Sequence, residues 1–205
     1  TNLLKSEDVL MTLEAFRSMG VKILEEKNKI IIFGKGLNSL KKPENDIYLG
    51  NSGTSARLLT GLLASQKFKS VLKGDESLSK RPMKRISEPL SLMEANIQTN
   101  NGKLPLIIMG KNLKPSNIDL KIPSAQIKSG LILASLHING ETNLMEHKIT
   151  RDHTEIMLKS FGAKIKTEKF ENKKNIKIFG NNELIPKNIE VPNDLSSSAF
   201  FIVAA

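Results

Sequence analysis

The chain has 205 residues, enough for one large domain or two small ones, and 39% of its residues are hydrophobic. It contains no cysteine, which excludes disulfides, thiolate metal sites and a cysteine nucleophile. No apolar run approaches the ~18 residues needed to span a bilayer, and no basic start precedes an apolar segment. We therefore expect no membrane span and no signal peptide, and a reducing, cytoplasmic location.

The charge balance favours an anionic partner. Lysine and arginine total 31 against 21 acidic residues, a formal net charge of +10. A field of this sign attracts nucleic acid, acidic membranes or phosphorylated metabolites. Nucleic acid is the weaker choice because aromatic stacking and arginine forks commonly read bases, and the chain has one tyrosine, no tryptophan and five arginines. A basic nucleic-acid-binding module remains an alternative.

Three segments share a pattern in which a helix is followed by a β-hairpin. In each, apolar residues recur at helical spacing up to a junction, at residues 19–23, 93–97 and 161–165. Each junction leads into a strand, a polar turn and a second strand that ends in glycine, at residues 30–34, 106–110 and 176–180. We therefore predict a threefold repeat of one helix–hairpin unit.

A second helix recurs between these units, with small hydroxylated residues at its start. The three examples are predicted at residues 53–59, 124–131 and 196–201. Residues 1–4 also echo residues 142–145, which precede the third helix–hairpin unit. We expect the chain to begin inside the first repeat and to end at the opening helix of a fourth, so that both ends look like cuts through a longer protein.

These helix starts are candidate anion sites. The first N–H groups of a helix lack intrahelical partners and carry partial positive charge, so they can hold an anion together with a serine or threonine hydroxyl. Any single serine or threonine there is more simply an N-cap. Three such starts would converge if the units pack around a pseudo-threefold axis.

The arginines strengthen this interpretation. Three of them lie beside predicted helix starts: Arg57, Arg81 and Arg151. Arg81 precedes a proline, which suits the first position of a helix. The planar guanidinium matches carboxylate and phosphate groups, which favours a site that uses these side chains. The other two, Arg17 and Arg85, are predicted to lie mid-helix and to face solvent.

Other chemistries have weaker support. The chain shows no dinucleotide-binding glycine loop and no P-loop. Its three histidines lack the spacing of metal ligands, so we expect neither a metal nor a cofactor. Asp75 and Glu76 are interpreted as turn residues, and Asp194 as the N-cap of the last helix.

Five segments resemble the 5-enolpyruvylshikimate-3-phosphate synthase (3-phosphoshikimate 1-carboxyvinyltransferase) family and occur in the family's order. They are residues 49–57 (LGNSGTSAR), 74–83 (GDESLSKRPM), 123–129 (PSAQIKS), 150–155 (TRDHTE) and 194–199 (DLSSSA). The resemblance implies an α/β (α+β) fold with three βαβαββ-type repeats and pseudo-threefold symmetry, one lobe of the family's two-lobed inside-out α/β barrel. It also implies that helix N-termini face the cleft between the lobes.

The resemblance implies an activity as well. Members of the family transfer the enolpyruvyl group of phosphoenolpyruvate to the 5-hydroxyl of shikimate 3-phosphate, the sixth step of the shikimate pathway toward chorismate and aromatic amino acids. They are the target of glyphosate. Leu58 stands where many glyphosate-sensitive members have proline, which leaves the response to the inhibitor open.

Site residues carried over from the family fall into three groups. Shikimate 3-phosphate would be held by Ser124, Ala125, Gln126, Thr150 and Arg151. Phosphoenolpyruvate would be held by Gly53, Arg81 and Gln126, with support from Asn51, Thr54 and Arg57. Ala125 stands where many members have a second serine, which removes one phosphate donor. No catalytic residue of the family falls within the chain.

The resemblance also divides the chain. Residues 1–192 would form the shikimate-3-phosphate-binding lobe, and residues 193–205 would begin the crossover to the second lobe. We expect the 205 residues alone to have no turnover and weak ligand affinity, and the parent enzyme to be a monomer without nucleic-acid or membrane partners. A lobe of the UDP-N-acetylglucosamine enolpyruvyl transferase is an alternative, although that enzyme usually carries a cysteine in its mobile loop.

Overall fold

The structure is a computed structural model that describes residues 3–27 and 29–192. These residues form three successive units. Unit one contains α1 (Glu7–Ser18), β1 (Lys22–Glu26) and β2 (Lys29–Phe33). Unit two contains β3 (Ile47–Tyr48), α2 (Gly53–Ala64), β4 (Lys69–Lys73), α3 (Glu76–Ser79), α4 (Lys84–Ser91), β5 (Asn96–Asn100) and β6 (Lys103–Met109). Unit three contains β7 (Asn117–Leu120), α5 (Ala125–Ser135), β8 (Glu141–Glu146), α6 (His153–Ser160), β9 (Lys164–Phe170) and β10 (Lys173–Phe179).

Units two and three have the same topology. The strand order β3-β4-β6-β5 of unit two recurs in unit three as β7-β8-β10-β9. In each sheet the first pair of strands is parallel and the others are antiparallel. A crossover helix, α2 or α5, joins each parallel pair, as parallel pairing requires. The shared βαβαββ order confirms the predicted repeat, and α1 with the β1–β2 hairpin matches the end of the same unit.

Helices α2 and α5 form the centre of the core. Both consist almost entirely of small and apolar residues, with one cation each, Arg57 and Lys128. Their closest approach is at Gly61 and Gly130, where a Cβ on Gly61 would overlap the carbonyl oxygen of Gly130. The two helix axes can approach this closely because neither residue has a side chain there.

The sheets pack their inward faces on these helices. Strand β6 alternates strictly, with Leu104, Leu106 and Ile108 buried and their neighbours more exposed, the pattern of a sheet with one covered face. β10 alternates in the same way, but one of its buried positions is Lys174. Within the described ranges, no helix is long and apolar enough to cross a membrane.

Serine caps begin both central helices, as predicted. The Oγ atom of Ser52 accepts a hydrogen bond from the backbone N–H of Ser55 (3.2 Å), and that of Ser124 accepts one from the N–H of Ile127 (3.4 Å). Asp75 caps α3 in the same way through the N–H of Leu78 (2.7 Å). The third predicted helix start, at residue 196, and the predicted cap Asp194 lie outside the described residues.

Three local predictions were wrong. Pro82 does not occupy the first position of a helix, because α4 begins two residues later with Met83 as its N-cap. Arg85 is therefore in the first turn of α4 rather than mid-helix, although it is exposed as expected. Arg17 is in the last turn of α1, where its half-buried side chain pairs with Glu14 and Glu25 instead of facing solvent alone.

The contact between α2 and α5 leads to a stability prediction. We expect Gly61→Ala to lower the free energy of unfolding by about 1–3 kcal/mol, because the added methyl group forces two backbones apart. Denaturant unfolding of the 205-residue chain measures this change. Gly34→Ala is the matched control, since a Cβ there meets no atom within 4 Å. Equal stability of the two variants would contradict the close helix contact.

Candidate anion-binding site

The start of α2 is bordered by two arginines. Gly53, the first residue of α2, is buried, and a Cβ built on it would lie 2.8 Å from Nη1 of Arg57 and 2.9 Å from Nη1 of Arg81. Both guanidinium groups therefore lie directly over the backbone of Gly53. A larger residue at this position would displace them, so glycine is what allows cations to approach the helix N-terminus.

Arg57 connects the two central helix starts. Its Nη1 atom donates hydrogen bonds to the carbonyl oxygen of Gly53 (3.1 Å) and to Oε1 of Gln126 (2.7 Å). The amide nitrogen of Gln126 donates in turn to Oγ1 of Thr54 (2.8 Å). Side chains thus join the first turns of α2 and α5. Gln126 lies 69 positions after Arg57 in the sequence and 72 positions after Thr54, yet it contacts both.

The cations at this place are not neutralised. Arg81 donates a hydrogen bond to Oδ1 of Asn51, which is a neutral acceptor. In the part of the chain that the structure describes, no ion pair involves Arg57, Arg81 or Arg85. Burial lowers the pKa of Arg57, and the positive charges of Arg81 and Arg85 lower it further. An anion bound here would relieve the mutual repulsion of the three guanidinium groups.

The start of α5 supplies backbone donors to the same place. Ser124 is the N-cap, Ala125 is the first residue and Gln126 the second, and all three side chains are partly exposed. The 3.4 Å cap bond leaves the hydroxyl hydrogen of Ser124 free to donate to a ligand. Ala125 can offer its N–H but has no hydroxyl group.

Thr150 and Arg151 lie beside the first turns of α5 rather than within the arginine cluster. The ammonium group of Lys128, one turn after Ser124, contacts the carbonyl oxygen of Thr150 at 3.5 Å. Arg151 follows, just before the N-cap Asp152 of α6, as predicted. Its side chain is exposed and makes no hydrogen bond or ion pair with the described residues, so it is available to a ligand.

Two features of this region were not predicted from the sequence. Arg85 adds a third guanidinium charge near Arg57. Behind the site lies a largely buried ionic network whose members are Lys128, Glu146, Asp152, Glu155 and Lys174, of which only the Asp152 side chain is substantially exposed, at 40%. The available signal was a single lysine inside an otherwise uncharged, mostly apolar helix, since such a charge is retained only when carboxylates face it.

The chain is similar to known proteins in sequence and in fold. A model of the EPSP synthase (3-phosphoshikimate 1-carboxyvinyltransferase) family matches residues 1–205. The chain belongs to this family. The membership confirms the resemblance drawn from the five sequence segments, and it favours the shikimate enzyme over the UDP-N-acetylglucosamine enolpyruvyl transferase.

Members of the EPSP synthase family from several bacteria are close in sequence and structure. The 3-phosphoshikimate 1-carboxyvinyltransferase of Ruthia magnifica is 54% identical over 203 residues, 98% of this chain and 46% of the relative. The enzyme of Citrifermentans bemidjiense is 48% identical over 206 residues, 100% of this chain and 47% of the relative. The structure of EPSP synthase from Acinetobacter baumannii has a TM-score of 0.91 at 52% identity, covering all of this chain and 46% of that one. The chain spans about half the length of these relatives.

The similarity also confirms the predicted fold class. At this TM-score and identity, the three units correspond to one lobe of the EPSP synthase fold. The two complete βαβαββ units and the end of a third agree with the expected α/β architecture.

The uncompensated arginines predict that this member of the EPSP synthase family binds inorganic phosphate. At a dissociation constant of about 1 mM, 100 mM phosphate would stabilise the fold by about 2.7 kcal/mol. We expect thermal unfolding at pH 7 to move several degrees higher in phosphate than in chloride of equal ionic strength. Arg81→Ala should lose most of this gain, whereas Arg17→Ala should keep it. An equal gain in both variants would exclude the arginine cluster as the phosphate site.

Asp152 leads to a pH prediction. Burial opposes ionisation of its carboxyl group, but the hydrogen bond and the charge of Lys174 outweigh burial, so the pKa of Asp152 is lowered. A carboxyl group with a lower pKa in the folded state stabilises the fold above its unfolded pKa of ~3.9, and this stabilisation is lost as the pH falls through the folded pKa. We expect Asp152→Asn to be less stable than the original chain at pH 7 and to lose less stability between pH 7 and pH 3. Asp46→Asn, which removes the surface partner of Lys73, is the control for denaturant unfolding at both pH values.

Proposed function

We propose that this chain is the shikimate-3-phosphate-binding lobe of a 3-phosphoshikimate 1-carboxyvinyltransferase. In the reaction, the 5-hydroxyl group of shikimate 3-phosphate loses its proton and its oxygen bonds to C2 of phosphoenolpyruvate while C3 gains a proton, which gives a tetrahedral intermediate. The bond from C2 to the phosphate oxygen then breaks as C3 loses a proton, and inorganic phosphate leaves. Both substrates are phosphate esters, and phosphoenolpyruvate also carries a carboxylate. A lobe that binds them must supply cations and N–H donors, and the two helix starts with their arginines supply both.

The observation that carries this proposal is the bridge between Arg57 and Gln126. The bridge brings the start of α5 next to Gly53 and Arg81. The Gln126 side chain therefore lies between two sets of groups that can bind an anion, one at each helix start. This geometry supports the proposed separation of the two substrate sites. Shikimate 3-phosphate would lie on the α5 side, and phosphoenolpyruvate on the α2 side.

Each side chain has a distinct part in the proposal. On the α5 side, the N–H groups of Ala125 and Gln126, the hydroxyl of Ser124 and the Thr150–Arg151 pair would hold shikimate 3-phosphate. On the α2 side, Arg81 would bind the charged groups of phosphoenolpyruvate over the bare backbone of Gly53. Arg57, Thr54 and Asn51 would orient Gln126 and Arg81 through the hydrogen bonds they already make.

The chain by itself would bind and orient the substrates. In the proposal, residues 1–192 form this lobe and residues 193–205 lead toward the rest of the enzyme, which supplies the groups that transfer protons. The enzyme would need neither a metal nor a cofactor, would act as a cytoplasmic monomer, and would have no nucleic-acid or membrane partner. The net positive charge would draw both anionic substrates toward the cleft.

A chimera tests the proposed activity. In the EPSP synthase of Acinetobacter baumannii, the segment that this chain matches is replaced by this chain. We expect the chimera to release inorganic phosphate from phosphoenolpyruvate only when shikimate 3-phosphate is present, and the 205-residue chain alone to release none. Gln126→Ala in the chimera should lower kcat/KM by about 10- to 100-fold, the loss of one hydrogen bond to a charged group.

Gln98→Ala is the matched control, because it removes the same side chain from an exposed position on β5. This variant should retain full kcat/KM. An inactive but folded chimera would refute the proposed function. An active chimera in which both glutamine variants behave alike would refute the part assigned to Gln126.

A further inference from the structure

A buried ionic network lies directly beneath the proposed ligand site. The side chain of Lys128 is 0% exposed, and its ammonium group contacts Oε2 of Glu146 at 3.1 Å and Oε1 of Glu155 at 3.0 Å. Lys174 contacts the same Oε1 atom of Glu155 at 3.2 Å and Oδ2 of Asp152 at 3.3 Å. Two ammonium groups thus meet three carboxylates from α6, β8 and the residue before α6.

Stability alone does not account for such a network. Removing charges from water is costly, and a buried pair replaced by apolar side chains of similar volume often leaves a protein equally or more stable. Oε2 of Glu155 is in fact buried without a hydrogen-bond partner among the described residues. An arrangement with this cost suggests that the network fixes the position of something else.

The part of the chain that it holds is the loop between β8 and α6. Oγ1 of Thr150 donates to Oε1 of Glu146 at 2.5 Å, and Lys128 contacts the carbonyl oxygen of the same threonine at 3.5 Å. Asp152, two residues later, is held by Lys174. The residue between them, Arg151, makes no side-chain hydrogen bond or ion pair with the described residues, so its position depends on its two neighbours.

The same network connects this loop to α5. Lys128 is in the second turn of α5, and its backbone N–H donates to the carbonyl oxygen of the N-cap Ser124 (3.1 Å). A second contact joins α5 to α6, between the hydroxyl groups of Ser129 and Thr154 at 2.7 Å. The helix start and the loop are therefore fixed to each other through the fully buried Lys128 and through a partly buried hydroxyl contact.

We propose that Lys128 and Glu146 are positioning residues that hold the loop around Arg151 at a fixed distance from the start of α5. The loop and the helix start can then bind the same phosphorylated ligand. This inference rests on the proposed function, because it takes shikimate 3-phosphate as that ligand. Neither residue contacts the substrate. Their effect on binding passes through Thr150 and Arg151.

The test removes one charge of each sign. Lys128→Met together with Glu146→Leu deletes both contacts to Thr150 and leaves Lys174 paired with Glu155 and Asp152. We expect this double variant of the 205-residue chain to bind shikimate 3-phosphate at least tenfold more weakly in an NMR titration. In a chain that already carries Thr150→Ala and Arg151→Ala, the same double change should weaken binding less than twofold, because both side chains that it positions are gone.

A second readout does not depend on the ligand. In the free protein, the ¹⁵N–¹H nuclear Overhauser effects of Thr150 and Arg151 should match those of α6 in the original chain and fall in the double variant. Ile176→Val is the control for a general loss of stability, since it trims a buried apolar side chain on β10. It should change neither the loop amides nor the affinity. If the double variant does not fold, Glu146→Met alone, which removes the acceptor of the Thr150 hydroxyl and leaves Lys128 paired with Glu155, replaces it with the same criteria.

The outcomes separate the two proposals. Failure of the original chain to bind shikimate 3-phosphate would refute the proposed ligand, while the amide measurement would still decide whether the network holds the loop. Unchanged loop amides in the double variant would overturn the positioning role. An equal loss of affinity with and without the side chains of Thr150 and Arg151 would overturn it too, because that result means the network acts on stability or on α5 instead.

Discussion

The hydrogen bond from Arg57 to Gln126 depends on how closely α2 and α5 pack. The two helices belong to different units, and their first turns meet only because Gly61 and Gly130 allow the backbones to touch further along. A larger residue at either glycine would separate the helix starts as well as loosen the core. Packing in the interior and the geometry of the candidate site are thus set by the same contact.

The buried cations and the accessible cations of the chain differ in the charge of their hydrogen-bond partners. Lys128 and Lys174 are fully enclosed, and each has carboxylates within ion-pairing distance. The guanidinium groups of Arg57 and Arg81 instead bond to neutral oxygen atoms and are only partly covered. An isolated charge in the interior would be costly, so the lysines need partners. The partly exposed arginines can remain without counter-ions because water solvates them until an anion replaces it.

Local sequence patterns were enough to predict the repeat and the starts of the two central helices, whereas the site residues were carried over from the family resemblance. Helical spacing, polar turns and terminal glycines gave three helix–hairpin units, and the serine-rich starts gave α2 and α5, since these signals depend only on neighbouring residues. The start of α4 was misjudged because a proline in the first helical position and a proline two residues earlier look alike in sequence. The partners of Lys128 could not be predicted, because Glu146 and Glu155 reach it only through the packing of β8 and α6 on α5.

The two repeats do not contribute identical halves to the candidate anion-binding site, and this difference bears on the orientation of a bound ligand. Equivalent positions of α2 and α5 carry different side chains: the second residue is Thr54 in one helix and Gln126 in the other, and the fifth is Arg57 in one and Ser129 in the other. If the starts of α2 and α5 carried identical side chains, a small anionic molecule would bind between them equally well in either orientation. Because the side chains at matched positions differ, the two orientations are no longer equivalent. Two repeats of the same fold can therefore bind an asymmetric ligand in a single orientation.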